Sequence, residues 1–251
     1  MESHARGDGK PSSSRARFAL TCALLVLAVA FIALGTWQFQ RLAWKLDLIA
    51  RVDARVHAAA VPAPPQADWA HVDGDEDEYR RVTATGIFLH DKSVLVQAVT
   101  ERGAGFWILT PMRRDDGATI IINRGFVPSD RRDPAARAKG DIVGTTTITG
   151  LLRLNEPGGA FLRSNDPAND RWFSRDVEAI GTSKALTEVA PYFIDADATP
   201  NPGGLPIGGL TVVQFRNSHL VYALTWFALA AMSAAGAYIV LRHKRSGPPK
   251  Q

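Results

Sequence analysis

Two long uncharged segments near the ends of the chain limit its possible folds more than any other feature. No Asp, Glu, Lys or Arg occurs between Arg17 and Arg41, over 23 residues, or between Arg216 and Arg242, over 25 residues. An α-helix needs about 20 apolar residues to cross the roughly 30 Å hydrocarbon core of a bilayer. We therefore predict a membrane protein with two transmembrane helices.

The charges beside these segments predict how the chain is oriented. Four Lys/Arg precede the first segment, and four lie in the last ten residues, which contain no acid. Such basic excess marks cytoplasmic ends, so we expect both termini in the cytoplasm and the middle exported. The predicted regions are a disordered cytoplasmic tail (1–17), transmembrane helix 1 (18–40), an exported mostly-β domain with a helical extension at its start (41–216), transmembrane helix 2 (217–241) and a basic cytoplasmic tail (242–251).

The first apolar segment is also compatible with a cleaved secretory signal. Ala28-Val29-Ala30 has the small residues of a cleavage site. The segment continues beyond it to Trp37, however, which is longer than the usual apolar core of a signal. A tryptophan followed by Arg41 is typical of a membrane interface. A retained helix is therefore the preferred interpretation.

Charge and cysteine content argue against several kinds of ligand. The net charge of +4 comes from the tails, because acids outnumber bases between the two apolar segments. Nucleic-acid binding would need a basic surface on the folded domain, so we expect no nucleic-acid partner. The single cysteine, Cys22, lies in the first apolar segment. The exported domain thus has no disulfide or thiolate metal site, and copper(I), which prefers Cys or Met ligands, is not expected.

The central segment consists of strand-like runs separated by turn residues. The first helix is predicted to run on to about His57, until the prolines of VPAPPQ (61–66) end it. Asp115-Asp116-Gly117 predicts a hairpin, and residues 174–186 predict a short helix opened by Ser174. Because strands outnumber helices and do not alternate with them, we expect an antiparallel, mostly-β domain. The predicted strands are RRVTATGIFL (80–89), SVLVQAV (93–99), FWILTPMRR (106–114), ATIIINRGFV (118–127), TTTITGLLRL (145–154), PYFID (191–195) and LTVVQF (210–215).

The sequence contains none of the common catalytic motifs. It has no nucleophile elbow, phosphate-binding loop or zinc-protease helix signature. Gly103-Ala104-Gly105 precedes a predicted strand, so it cannot offer a helix N-terminus to the phosphates of a dinucleotide. We therefore expect that the chain is not an enzyme.

One histidine occupies a position that suits a cofactor ligand. His219 begins the second apolar segment, and the exported ends of both predicted helices place aromatic and cationic residues at its level. A neutral imidazole is a usual axial ligand of haem iron, and arginines can pair with haem propionates. Aromatic residues and arginines are also ordinary interface anchors, and a boundary histidine can simply cap a helix. The predicted layer comprises Trp37, Gln38, Arg41 and Lys45 from the first helix, with Arg216, His219, Tyr222 and Trp226 from the second.

Three segments resemble hallmark sequences of the Surfeit locus protein 1 family. They are LGTWQFQRLAWKLDLI (34–49), NRGFVP (123–128) and NSHLVYALTWF (217–227), and the likeness covers about residues 34–241. The chain departs from the family at Phe126, often Trp, and at Ser218, often Asn.

Membership would imply an assembly factor for cytochrome c oxidase, the haem–copper terminal oxidase. Bacterial members of the family are proteins of the cytoplasmic membrane that are thought to bind haem A and help place it in subunit I. The resemblance points to His219 as the iron ligand.

The resemblance leaves some roles open. Asn123-Arg124-Gly125 is interpreted as a strand end with a tight turn, the alternative being that Arg124 contacts a haem propionate or an oxidase subunit. For the whole protein, the first hypothesis is a haem A chaperone of the bacterial inner membrane, with a periplasmic central domain. Its partners would be subunit I and the haem A synthesis machinery. The second is a structural assembly factor that binds no haem, and the third is a membrane-anchored enzyme with a titratable cluster in a cleft of the β domain.

Overall fold

The computed structural model of the protein describes residues 13–159, 163–213, 215 and 217–242. The chain divides into two compact units, a helical unit (Met1–Ile49 with Phe215–Gln251) and a β domain (Ala50–Gln214). The helices are α1 (Ser13–His57), α2 (Val177–Ser183) and α3 (His219–Arg242). The strands are β1 (Val61–Pro62), β2 (Arg81–Phe88), β3 (Val94–Thr100), β4 (Gly103–Arg113), β5 (Thr119–Pro128), β6 (Thr145–Leu154) and β7 (Val189–Ala196).

Both long helices are apolar enough to cross a membrane. By length and composition, α1 and α3 each contain a sufficient segment. Helix α1 continues to His57, as predicted. The prediction of a disordered tail over residues 1–17 is wrong for residues 13–17, which are helical because no Pro or Gly interrupts the sequence between Pro11 and Gly35. The rest of that tail, and residues 243–251 of the second tail, lie outside the described residues.

The two helices of the helical unit run antiparallel and meet through small side chains. On α3 the buried residues are three alanines, each seven positions after the last. The buried positions on α1 in this unit have the same spacing, and an added Cβ at Gly35 would lie 2.7 Å from Cε1 of Phe227. Small residues let helix backbones approach closely, and a seven-residue repeat keeps one face turned toward the partner. The buried positions are Thr21, Ala28 and Gly35 on α1 and Ala223, Ala230 and Ala237 on α3.

The β domain is built on one sheet with the strand order β1-β2-β6-β7-β5-β4-β3. β2 also pairs with β4, through Ile87–Arg113 and Phe88–Met112, so that β2, β6, β7, β5 and β4 form a barrel-like ring. All pairings are antiparallel except β1 with β2 and β5 with β7. The prediction of a mostly antiparallel β domain with a short helix is therefore confirmed. The predicted hairpin at residues 115–117 joins β4 to β5.

Alternation of side chains along the strands gives this sheet two apolar faces. One core lies within the ring and takes residues from all five ring strands, including Met112, Ile122 and Tyr192. The other core lies on the outer face, where α2 and Trp172 cover Phe193 and the apolar residues of β3. The outer face carries the polar groups described below.

One predicted element has different bounds in the structure, and another is absent from its described residues. The helix predicted over residues 174–186 spans Val177–Ser183, because Asp176 caps it while the hydroxyl of Ser174 accepts a bond from Asn165. The described residues of the predicted strand 210–215 are not a strand. Gly209 turns the chain with a φ of +71°, and its amide donates to Ala196, so the backbone leaves the sheet after its one bridge at Ile207.

Candidate functional site

The structure joins His219 and Gln38, one from each helix of the helical unit. His219 is the first residue of α3, where Asn217 Oδ1 accepts a bond from its amide. The ring Nδ1 of His219 lies 2.8 Å from Oε1 of Gln38. A carboxamide oxygen can only accept, so Nδ1 carries the proton and donates it. In the neutral imidazole the lone pair is then on Nε2, which is the arrangement that metal-ligating histidines use.

Aromatic residues of the predicted layer have different surroundings. Trp226 stacks on Phe31 of α1, with ring centroids 5.6 Å apart, about two helical turns from His219. Trp37 and Tyr222 are each about half exposed. Trp226 therefore contributes to helix pairing, whereas Trp37 and Tyr222 present free surface to a ligand or to lipid.

Two of the predicted cations lie over aromatic rings. The guanidinium of Arg41 lies 4.7 Å from the ring of Trp44 on its own helix, and the ammonium of Lys45 lies 4.7 Å from the ring of Phe215. Both are ordinary cation–π distances. Arg216 lies outside the described residues. In the described part of the chain, no group of three or more His, Cys, Asp or Glu side chains could hold a metal ion.

Asn123-Arg124-Gly125 forms a bulge inside β5 rather than a turn at its end. Leu109 pairs with Asn123 and Ile108 with Gly125, so Arg124 is the extra residue. Arg124 is 3% exposed, and its guanidinium donates to Gly140, Asn201 and Asp141. Burial lowers the pKa of Arg124, although Asp141 opposes this effect. The hydrogen bonds of Arg124 thus hold the segments that contain Gly140, Asp141 and Asn201 against the sheet. The prediction of a tight turn is wrong.

A buried carboxylate on the outer face was missed by sequence reasoning. Asp195 on β7 is 2% exposed and accepts bonds from Asn123 at 2.7 Å, Thr211 at 3.0 Å, Arg153 at 3.2 Å and Arg175 at 3.0 Å. Burial alone would lower the pKa of Arg153, but Asp195 and Glu156 outweigh it and raise that pKa. No spacing signal could have found this group, since its members come from three strands (β5, β6 and β7) and from the two loop segments that contain Arg175 and Thr211.

A cleft of about 570 Å³ opens beside this network. We call it the outer-face cleft; it is lined by Tyr79, Trp107, Asn123, Arg153, Arg175 and residues 99–102 and 209–212. It contains the titratable cluster that the enzyme hypothesis required. The cluster does not favour acid–base catalysis, because Asp195 is held by two guanidiniums that cannot lose their protons and burial raises the pKa of Tyr79.

Comparison with known proteins agrees with the sequence resemblance. The profile of the SURF1 family matches residues 25–231. A SURF1-like protein of Monosiga brevicollis is 39% identical, with 91% of this chain and 92% of that protein covered. Surfeit locus protein 1 of Homo sapiens is 38% identical over 90% of this chain and 78% of its own, and the SURF1-like protein of Caenorhabditis elegans is 34% identical over 84% and 70%. The chain therefore belongs to the SURF1 family.

Proposed function

We propose that the protein is an assembly factor for cytochrome c oxidase that binds haem A through His219 and assists its insertion into subunit I. Membership of the SURF1 family supports the assembly role, because this family is associated with the assembly of cytochrome c oxidase. Subunit I and the haem A synthesis machinery are the proposed partners.

The observation that carries the haem proposal is the hydrogen bond between His219 and Gln38. Because Gln38 Oε1 accepts the Nδ1 proton, Nε2 is left with a lone pair and a fixed ring orientation. A histidine that ligates a metal commonly donates its other ring N–H to a carbonyl or carboxylate. When bound, haem would supply an iron that this nitrogen would ligate.

The remaining residues of the layer have supporting roles in this proposal. The exposed rings of Trp37 and Tyr222 would cover apolar parts of the porphyrin, and Trp226 would keep α3 against α1. Arg41, which is exposed, would pair with a propionate, as would Arg216. Gln38 acts through His219 and is a positioning residue.

The proposed location is the bacterial inner membrane. Helices α1 and α3 are long enough to span it, and the basic residues at both ends of the chain favour a cytoplasmic placement of both termini. The β domain would then face the periplasm. Fusing a periplasm-active phosphatase to a loop of the β domain, or to the C-terminus, tests this orientation, with activity expected only from the loop fusion.

The visible spectrum of the purified protein tests haem binding directly. The full chain would be produced in cells that make haem A, extracted in detergent and compared with His219→Ala. His71→Ala is the matched control, since His71 is an exposed histidine of the β domain. We expect a Soret band in the parent and the control that is lost or shifted in His219→Ala. An equal band in all three would move the ligand elsewhere, and absence of haem from all three would leave the structural assembly factor.

A further inference from the structure

The cations Arg41 and Lys45 follow directly after the apolar segment of α1. Among the residues that the structure describes, neither forms an ion pair. The acid nearest to them in the sequence is Asp47. A helix turns about 100° per residue, so Asp47 lies about 120° round the axis from Arg41 and about 160° from Lys45. The two positive charges thus lie together on a face of α1 that Asp47 does not share.

The spacing of the two cations favours a shared anion. Residues four positions apart on a helix are neighbours, with Cβ atoms about 5–6 Å apart, and like charges at this spacing repel each other. An oxyanion between Arg41 and Lys45 would offset that repulsion and accept charge-assisted hydrogen bonds from both side chains.

Aromatic rings support both cations and leave donors free. The guanidinium of Arg41 lies over the ring of Trp44, and the ammonium of Lys45 over that of Phe215, each at 4.7 Å. A ring below a guanidinium takes one face of it, so the N–H groups still point outward in the plane. Trp37 and Trp44 are 52% and 48% exposed. Tryptophans with such exposed rings are enriched at the headgroup level of a bilayer.

The position of the pair along α1 matches the depth of lipid phosphates. The uncharged residues 18–40 rise about 35 Å as a helix, slightly more than the roughly 30 Å of the hydrocarbon core. Arg41 therefore lies at the edge of the core, and Lys45 lies about 6 Å further along the axis. The headgroup layer is about 5–8 Å thick on each side of the core, so both cations fall within it.

We propose that Arg41 and Lys45 bind the phosphate of a phospholipid that carries net negative charge. The phosphodiester accepts hydrogen bonds from both side chains, and the acyl chains run along the exposed side chains of Leu34 and Trp37. A zwitterionic lipid fits less well, because the ammonium of its own headgroup offsets the charge of its phosphate. A guanidinium has five N–H donors, so Arg41 can serve a lipid phosphate and a haem propionate together. The lipid site does not depend on haem binding.

Native mass spectrometry of the full chain in detergent tests the lipid site. The protein is produced in cells that make no haem A, freed of lipid, and mixed with equal amounts of phosphatidylglycerol and phosphatidylcholine that have the same acyl chains. We expect phosphatidylglycerol to exceed phosphatidylcholine about tenfold or more in the complex with one lipid, because each cation at the headgroup level favours an anionic lipid about fivefold. Equal binding of the two lipids would overturn the proposal. So would displacement of phosphatidylglycerol by millimolar ammonium phosphate, which would assign the pair to a soluble anion.

Matched variants then locate the contact. Arg41→Gln and Lys45→Gln should each lower the preference for phosphatidylglycerol about fivefold, whereas Arg41→Lys should retain most of it. Arg51→Gln is the control, because it removes the same charge from an exposed residue of α1 about 9 Å beyond Lys45. An unchanged preference in Arg41→Gln and Lys45→Gln, or an equal loss in Arg51→Gln, refutes the assignment.

Discussion

Gly125, in the bulge of β5, is predicted to tolerate no side chain. Its φ is +129°, and an added Cβ would overlap the carbonyl carbon and oxygen of Ile207 and the amide of Gly208. These are backbone atoms, which cannot rotate away as a flexible side chain can. Next to Gly125, Phe126 and Ile207 exchange two backbone hydrogen bonds of 2.9 Å. Gly125→Ala must therefore separate the 207–208 segment from the sheet.

The expected cost of Gly125→Ala is the sum of two effects. The left-handed backbone costs an alanine about 1–2 kcal/mol. Loss of two buried backbone hydrogen bonds adds about 1 kcal/mol each, and more where a group finds no new partner. The total of about 3–5 kcal/mol is a large fraction of the roughly 5–15 kcal/mol by which domains are stable.

Gly117→Ala is the matched control. Gly117 also has a positive φ, +86°, but nothing lies within 4 Å of its added Cβ. Only the backbone cost of about 1–2 kcal/mol should remain. Urea unfolding of the detergent-purified proteins, followed by tryptophan fluorescence, gives the difference in unfolding free energy. Equal losses in the two variants would refute the reasoning, since the contact with Ile207 would then carry no cost.

Three further predictions concern buried groups and the helix pair. Asp195→Ala should lower the free energy of unfolding by about 3–5 kcal/mol, because two largely buried arginines lose their shared carboxylate; a loss below about 1 kcal/mol in urea unfolding would contradict this. Burial raises the pKa of Tyr192 to about 12, so the folded state holds this proton more tightly than the unfolded state. Stability present below pH 10 should thus fall by about 3 kcal/mol as the pH rises to about 12, and Tyr192→Phe should remove that decrease. Gly35→Val should destabilise the helix pair by about 1–3 kcal/mol, because the new side chain overlaps the ring of Phe227. Adding Phe227→Ala should restore part of the lost stability, measured by thermal unfolding. No restoration would show that residues 35 and 227 do not contact each other.

Local patterns predicted most of the secondary structure. The prolines of VPAPPQ (61–66) predicted that α1 ends near His57, and β-branched runs predicted six of the strands within a few residues. The predicted strand at 210–215 failed because its β-branched residues signal only a preference for extended backbone, and Gly209 directs the chain away from any partner strand. Strand propensity does not specify pairing.

The candidate site was predicted in part. The helical periodicity and the position of His219 at the start of an apolar run pointed to the residue, and Gln38 was placed at the same level. These sequence patterns did not predict the hydrogen bond between His219 and Gln38 that selects the ring tautomer. That bond depends on how α3 is rotated against α1. The seven-residue spacing of small side chains that sets this packing is visible in the sequence, at Thr21, Ala28 and Gly35 and at Ala223, Ala230 and Ala237.

The sequence by itself determined that two apolar helices bracket a β-rich segment, because hydrophobic runs and residue periodicity are local properties of the chain. It also contained the motifs that place the chain in its family. Only the tertiary structure decided the closure of the sheet, the burial of Asp195 with two arginines, the bulge at Arg124 and the outer-face cleft. Each of these joins residues that are distant in the sequence, as in Asp195 with Thr211, 16 positions apart, and Arg124 with Asn201, 77 positions apart. Such contacts arise from strand pairing and chain reversal, which no short segment encodes alone.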